Sequence, residues 1–91
     1  QSLFQAMTTL KNEAVPIVGV EVSLGKPYYN EKLTGPLALL FGGEEKGLSE
    51  PLMKYVDKFI HIPMREEVAS LNVSAATAVV LFERMRQTMV K

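Results

Sequence analysis

Hydrophobic positions fall into short runs divided by turn-forming residues, and the spacing inside each run predicts its geometry. Leu3, Phe4, Met7 and Leu10 share one face of a helix. It ends before Pro16, because proline disfavours helical backbone in the residue ahead of it. Ile17-Val18-Gly19-Val20-Glu21-Val22 is short and β-branched, which predicts a strand over 17–22. Residues 23–36 are polar and punctuated by Gly25, Pro27, Asn30, Gly35 and Pro36, the composition of a surface connection. Leu37-Ala38-Leu39-Leu40-Phe41 is continuously apolar and breaks at Gly42-Gly43, the pattern of a strand buried on both faces. Ser49 is placed to cap a helix that carries Pro51 in its first turn and buries Leu52, Met53 and Val56. Phe59-Ile60-His61-Ile62 predicts a third strand, stopped by Pro63.

The last segment is the most informative. Leu71, Ala75, Ala78, Phe82, Met85 and Met89 recur at steps of four and three, one stripe of a helix that begins near Asn72. Val73, Ala76 and Val80 form a second stripe, and between Val73 and Phe82 only Ser74 and Thr77 are polar. The first turns are therefore expected to be buried on several sides. From Glu83 onward, Arg84, Arg86 and Gln87 restore a wet face. Ser70-Leu71-Asn72-Val73-Ser74 sets hydroxyls and an amide at the mouth of this helix, which is how a binding site is built. The order helix, strand, strand, helix, strand, helix predicts one α/β domain over 1–91, its sheet mostly parallel with helices on both faces. In such sheets the site lies at the C-terminal strand ends, here the loops at 42–49 and 63–72.

Composition narrows the function. The chain has 91 residues, 47% hydrophobic and 22% charged, which suits one small folded domain. Ten basic and ten acidic residues give no overall electrostatic footprint for nucleic acid, so any RNA contact has to be local. The absence of cysteine removes disulfides and thiolate metal sites and is compatible with a reducing, cytoplasmic location. No apolar run reaches membrane-spanning length, and Gln1-Ser2 opens without a basic leader, as a cut end would.

Individually the motifs point to little. Gly42-Gly43-Glu44-Glu45-Lys46-Gly47-Leu48-Ser49 has the glycine spacing of a phosphate loop, but Leu48 stands where that loop needs lysine, and two glutamates would repel a triphosphate. A tight glycine turn is the better reading. His61, the sole histidine, sits in an apolar strand without ligand partners at metal spacing, so it reads as a strand or core residue rather than a ligand, and no metal is expected. Tyr28 and Tyr29 suit anchoring a polar loop better than stacking on a base.

The ordered set carries more. Phe41-Gly42-Gly43-Glu44-Glu45-Lys46-Gly47-Leu48-Ser49, then Ile62-Pro63-Met64, then Ser70-Leu71-Asn72-Val73-Ser74 with Glu83, resembles the second and third motifs of the SpoU (TrmH-type) branch of the SPOUT methyltransferases. The likeness runs from Leu3 to the last helix, and is nearest to bacterial enzymes that methylate a guanosine ribose of 23S ribosomal RNA. It implies the C-terminal, cofactor-binding portion of a domain with a deep trefoil knot, binding S-adenosylmethionine and forming a homodimer. Gly42, Ile62, Met64 and Leu71 fall on the family's cofactor-binding positions, and Glu44, Ser70 and Asn72 on its polar active-site positions. One stripe of the last helix would serve the knot and the other the dimer interface.

The resemblance implies methyl transfer to a ribose 2′-hydroxyl of RNA, ribosomal RNA foremost and transfer RNA as an alternative. A non-catalytic knotted module that dimerises and binds RNA is the other alternative. The chain departs from the family at Glu45 and within Arg65-Glu66-Glu67, where glycines are common. The family's first motif, an asparagine and an arginine, has no counterpart before Gln1, and Arg65, Arg84 and Arg86 do not match it. A ribose hydroxyl is a weak nucleophile that needs such a partner, so this stretch alone is expected to be inactive.

Overall fold

The computed structural model describes residues 2–42, 47–65 and 72–90. Helix α1 (Leu3–Asn12) starts in a capping box: the Gln5 N–H donates to Ser2 Oγ at 3.1 Å and the Ser2 N–H to Gln5 Oε1 at 2.9 Å. It ends at a turn in which Ala14 takes φ 58 and the Val15 N–H donates to the Leu10 carbonyl. The chain then enters β1 (Ile17–Val20), followed by β2 (Lys26–Pro27), a 3-10 turn (Tyr28–Asn30), β3 (Ala38–Phe41), α2 (Glu50–Met53), β4 (Lys58–His61) and α3 (Val73–Met89).

The strands form one sheet in the order β2-β4-β1-β3, and every pairing is parallel. Within β1, Ile17 lies beside Ala38 and Val20 beside Phe41, while Val20 also pairs with Ile60. β2 lies inside the stretch read as pure connection. It is two residues long, pairs Lys26 with Ile60 and Pro27 with His61, and contains no β-branched or alternating signal.

Side chains alternate across a strand, and the two faces of this sheet are covered differently. Val18, Leu33, Ile60 and Val80 are buried together, with Val20, Leu39, Phe41 and Ile62 packed against them. That face lies under α3. Ile17, Gly19 and Phe59 fall on the other face; the space a Cβ would need at Gly19 is held by the Phe59 ring and Val56, each 3.1 Å away. Met7 of α1 is buried, and the Phe4 and Tyr55 rings meet at 6.0 Å between centroids. Asp57 joins these parts at the strand beginnings. Its Oδ2 accepts the Ile17 N–H at 2.7 Å, and Oδ1 pairs with Lys11 Nζ. Hydrogen bonds from Lys11 and then Ile17 hold the Asp57 carboxyl below its ordinary range.

Other expectations also need correction. β3 is only partly buried along its whole length rather than enclosed on both faces, because among the described residues it has one strand neighbour, β1. Ser49 starts α2 with extended backbone but its side chain makes no capping hydrogen bond, and Leu52, Met53 and Val56 are only partly buried. In α3 the buried positions are Ala76, Val80 and Glu83. The first turn, Val73, Ser74 and Ala75, is exposed, as are Ala78, Phe82, Met85 and Met89. One sheet covers one side of a helix, so a segment apolar all round leaves its second stripe outside.

Glu83, assigned above to the wet face, is instead the centre of a polar clamp. Arg86 donates to both its oxygens at 2.9 and 2.8 Å, and Gln87 Nε2 donates to Oε2 at 2.8 Å. Gln87 also accepts the Leu33 N–H at 2.7 Å and donates to the Glu31 carbonyl at 2.9 Å, while Arg84 Nη1 donates to the Leu33 and Gly35 carbonyls, each at 2.7 Å. Residues 31–35 are thus strapped along the C-terminal half of α3. The Arg86 and then Gln87 hydrogen bonds bring the Glu83 carboxyl down to about 2.

Candidate functional site

Parallel register gathers the ends of the strands. Val20 lies beside both Phe41 and Ile60, so Glu21, Gly42 and Ile62 leave the sheet at the same edge. This is the C-terminal edge, where open parallel sheets bind ligands. Arg84 reaches Leu33 and Gly35 just ahead of β3, so α3 runs back against the strand direction. Twelve residues of helix span about 18 Å, which carries Asn72 toward this same edge.

Gly42 closes the base of the first loop. A Cβ built there would run into the backbone of Gly47 and Leu48, so the close approach that glycine permits is to the chain's own loop. Gly47 has φ +67, the left-handed region that suits glycine. Glu21 pins this base from the side: its Oε2 accepts the Leu48 N–H at 2.6 Å and Oε1 accepts the Val22 N–H at 2.9 Å, while its own N–H donates to the Ile60 carbonyl at 3.0 Å. Sequence reasoning passed over Glu21 as part of a strand. The available signal was a lone carboxylate ending an otherwise apolar parallel strand.

Ile62 packs partly against the core cluster and Met64 is partly buried, so the segment after β4 presents an apolar wall. Asn72 caps α3: the Ala75 N–H donates to its Oδ1 at 3.0 Å. The amide nitrogen of Asn72 takes no part in this cap. Of the residues singled out from sequence, Gly42, Ile62, Met64 and Asn72 are therefore placed, whereas Glu44, Ser70 and Leu71, together with Glu45, Glu66 and Glu67, lie outside the described residues. His61 ends β4 with Nδ1 3.2 Å from the Leu24 carbonyl, a loop contact. Among the described residues no three His, Cys, Asp or Glu side chains cluster for a metal. No described helix is long and apolar enough to cross a membrane.

A site of backbone turns and apolar walls at parallel strand ends suits an adenosine-bearing cofactor, whose flat base and ribose need a wall and main-chain polar groups. Comparison with known proteins agrees. The model of the SpoU rRNA Methylase family matches residues 1–82. The chain belongs to the SpoU rRNA methylase family. It is 43% identical over 86 residues to the 23S rRNA (guanosine-2′-O-)-methyltransferase RlmB of Pectobacterium atrosepticum, a match covering 94% of this chain and 35% of that protein. Among solved SpoU structures, AviRb from Streptomyces viridochromogenes in complex with the cofactor AdoMet superposes with a TM-score of 0.89 at 26% identity, over 99% of this chain and 38% of that one. The A. aeolicus TrmH/SpoU tRNA modifying enzyme gives a TM-score of 0.84 at 33% identity, over 96% of this chain and 45% of that one. The chain spans about a third of the length of the curated relatives it matches. Its α/β fold is that of SpoU methyltransferases.

Proposed function

We propose that this chain is the C-terminal, cofactor-binding part of an RNA ribose 2′-O-methyltransferase that uses S-adenosylmethionine. The observation that carries the reading is the Gly42–Leu48 loop base beside the Ile62-Pro63-Met64 wall at the C-terminal edge of a parallel SpoU sheet, toward which α3 carries the Asn72 cap. Gly42, Ile62, Met64 and Leu71 bind the cofactor, largely through backbone; Glu44, Ser70 and Asn72 shape the polar side of the active site. The cofactor supplies a methyl group on a sulfonium. A carbon–oxygen bond forms at the ribose 2′-oxygen, the carbon–sulfur bond breaks, the hydroxyl proton leaves to a base, and S-adenosylhomocysteine remains. That base is not Arg84 or Arg86, since Arg84 is committed to the Leu33 and Gly35 carbonyls and Arg86 to the Glu83 carboxylate.

Ribosomal RNA is the favoured substrate, because curated relatives at 41–44% identity are 23S rRNA guanosine-2′-O-methyltransferases. The strap over α3 supports a trefoil knot in which α3 is the threaded element. The outward stripe of α3 supports a homodimer. Such an enzyme meets ribosomal RNA in the cytoplasm. The test is calorimetry of S-adenosylmethionine with the full-length protein, followed by mapping of ribose methylation in 23S rRNA from cells with and without the gene. Binding plus loss of one ribose methylation is expected. Failure to bind the cofactor would overturn the reading.

A further inference from the structure

We propose that Glu21 is a positioning residue for the cofactor loop: its carboxylate, reaching from the end of β1, fixes the backbone at Gly47 and Leu48 in the shape that accepts S-adenosylmethionine. The proposal rests on the reading of the Gly42–Leu48 loop as part of the cofactor site. Glu21 contacts all three elements that meet at this edge. It continues β1, its N–H bonds to Ile60 of β4, and its side chain crosses 27 residues of sequence to the loop after β3. The Leu48 N–H is part-buried, and a part-buried N–H needs an acceptor. At 2.6 Å the Glu21 oxygen is in close hydrogen-bond contact with that N–H.

The surrounding glycines fit this role. A Cβ at Gly47 would sit 2.5 Å from Glu21 Oε2 and 2.6 Å from Oε1, so glycine at 47 is what lets the carboxylate lie against the loop. Gly42 in turn lets the loop base close on itself. The three residues define one backbone shape, and a cofactor held mainly by main-chain groups depends on that shape being present before it binds. Preorganisation of this kind changes affinity for the cofactor more than the rate of the chemical step.

What matters on this argument is the reach of an acceptor oxygen, and the charge is secondary. Glu21→Gln keeps the reach and loses the charge; its carbonyl oxygen still accepts from Leu48, and the exposed Val22 N–H turns to water. Glu21→Asp keeps the charge and withdraws it by one methylene. The experiment measures the dissociation constant for S-adenosylmethionine by calorimetry on the full-length protein, and kcat at saturating cofactor. Glu21→Gln should stay within about threefold of wild type and Glu21→Asp should weaken binding about tenfold or more, the scale of losing one hydrogen bond outright. In both variants kcat should stay near wild type. Asp57→Ala, which removes a carboxylate–backbone bond at the opposite sheet edge, should lower the melting temperature without changing the cofactor affinity. Equal binding by wild type and Glu21→Asp, or a loss in Glu21→Gln as large as in Glu21→Asp, overturns the role of Glu21 alone. A wild-type protein that binds no cofactor overturns the functional reading beneath it.

Discussion

Asn72 shows how one side chain can satisfy both a structural and a functional reading, and how the two are separated. Its Oδ1 caps α3, a role worth about 1 kcal/mol when lost to alanine. The amide nitrogen takes no part in the cap. Asp caps as well as Asn but offers no donor there, so Asn72→Asp should keep the melting temperature of the full-length protein while methyl transfer falls at least tenfold, and Asn72→Ala should lower both. An Asn72→Asp enzyme with wild-type turnover would return Asn72 to capping alone. The boundary positions of Asn72 and Gly42 were legible in the sequence because residue type and place announce them: an amide before an apolar helix, a glycine after an apolar strand. Glu21 and Glu83 were not. The partner of Glu21 is 27 residues away at Leu48, and no local pattern encodes it; Glu83 bonds its helix neighbours Arg86 and Gln87, but what buries that group is the strap that Gln87 holds at Glu31 and Leu33, more than 50 residues upstream.

At the scale of elements, three of the four described strands and the three described helices are expected from the sequence; the strands lie within two residues of their expected ends, while α2 stops at Met53, three residues short of Val56. β2 escaped because it is two residues held only by pairing with β4. The faces of α3 escaped because a helix apolar all round gives periodicity no way to say which stripe meets the sheet. The buried stripe turned out to carry a carboxylate, and Glu83 makes the joint between α3 and residues 31–35 sensitive to acid. Its carboxyl is held at about 2, against an ordinary 4.5. Between those values the unfolded chain binds a proton that the folded chain does not, so the stabilisation is fully present above 4.5 and is lost as pH falls toward about 2. Glu83→Gln should therefore melt lower than wild type at neutral pH, and the gap should close as the pH is brought down through that window. Melting curves at a series of pH values decide it, since Asp57 titrates in both proteins and cancels in the difference. Parallel curves would show that the clamp does not depend on the ionised carboxylate.

The whole molecule is left with an imbalance that folding of this chain does not remove. Leu81, Phe82, Met85 and Met89 are 47%, 67%, 52% and 73% exposed on the outward stripe of α3. Together they make a patch on the order of 500 Å², at the upper end of what a monomer leaves to water. A helix packed on its own copy across a two-fold axis covers the same patch twice, about 1,000 Å² in all, which reaches the size of a specific interface. Neighbouring Arg84 and Arg86 do not oppose this, because their charges are drawn back onto the Leu33 and Gly35 carbonyls and onto Glu83. Two-fold symmetry also makes the contact easy to break, since any charge added on the axis meets itself. Phe82→Glu with Met85→Glu should convert a dimeric full-length protein to monomers in sedimentation velocity, whereas Lys54→Glu, exposed at the end of α2, should leave the dimer intact. A wild-type protein that sediments as a monomer, or a double variant that remains dimeric, would mean that α3 does not form the interface.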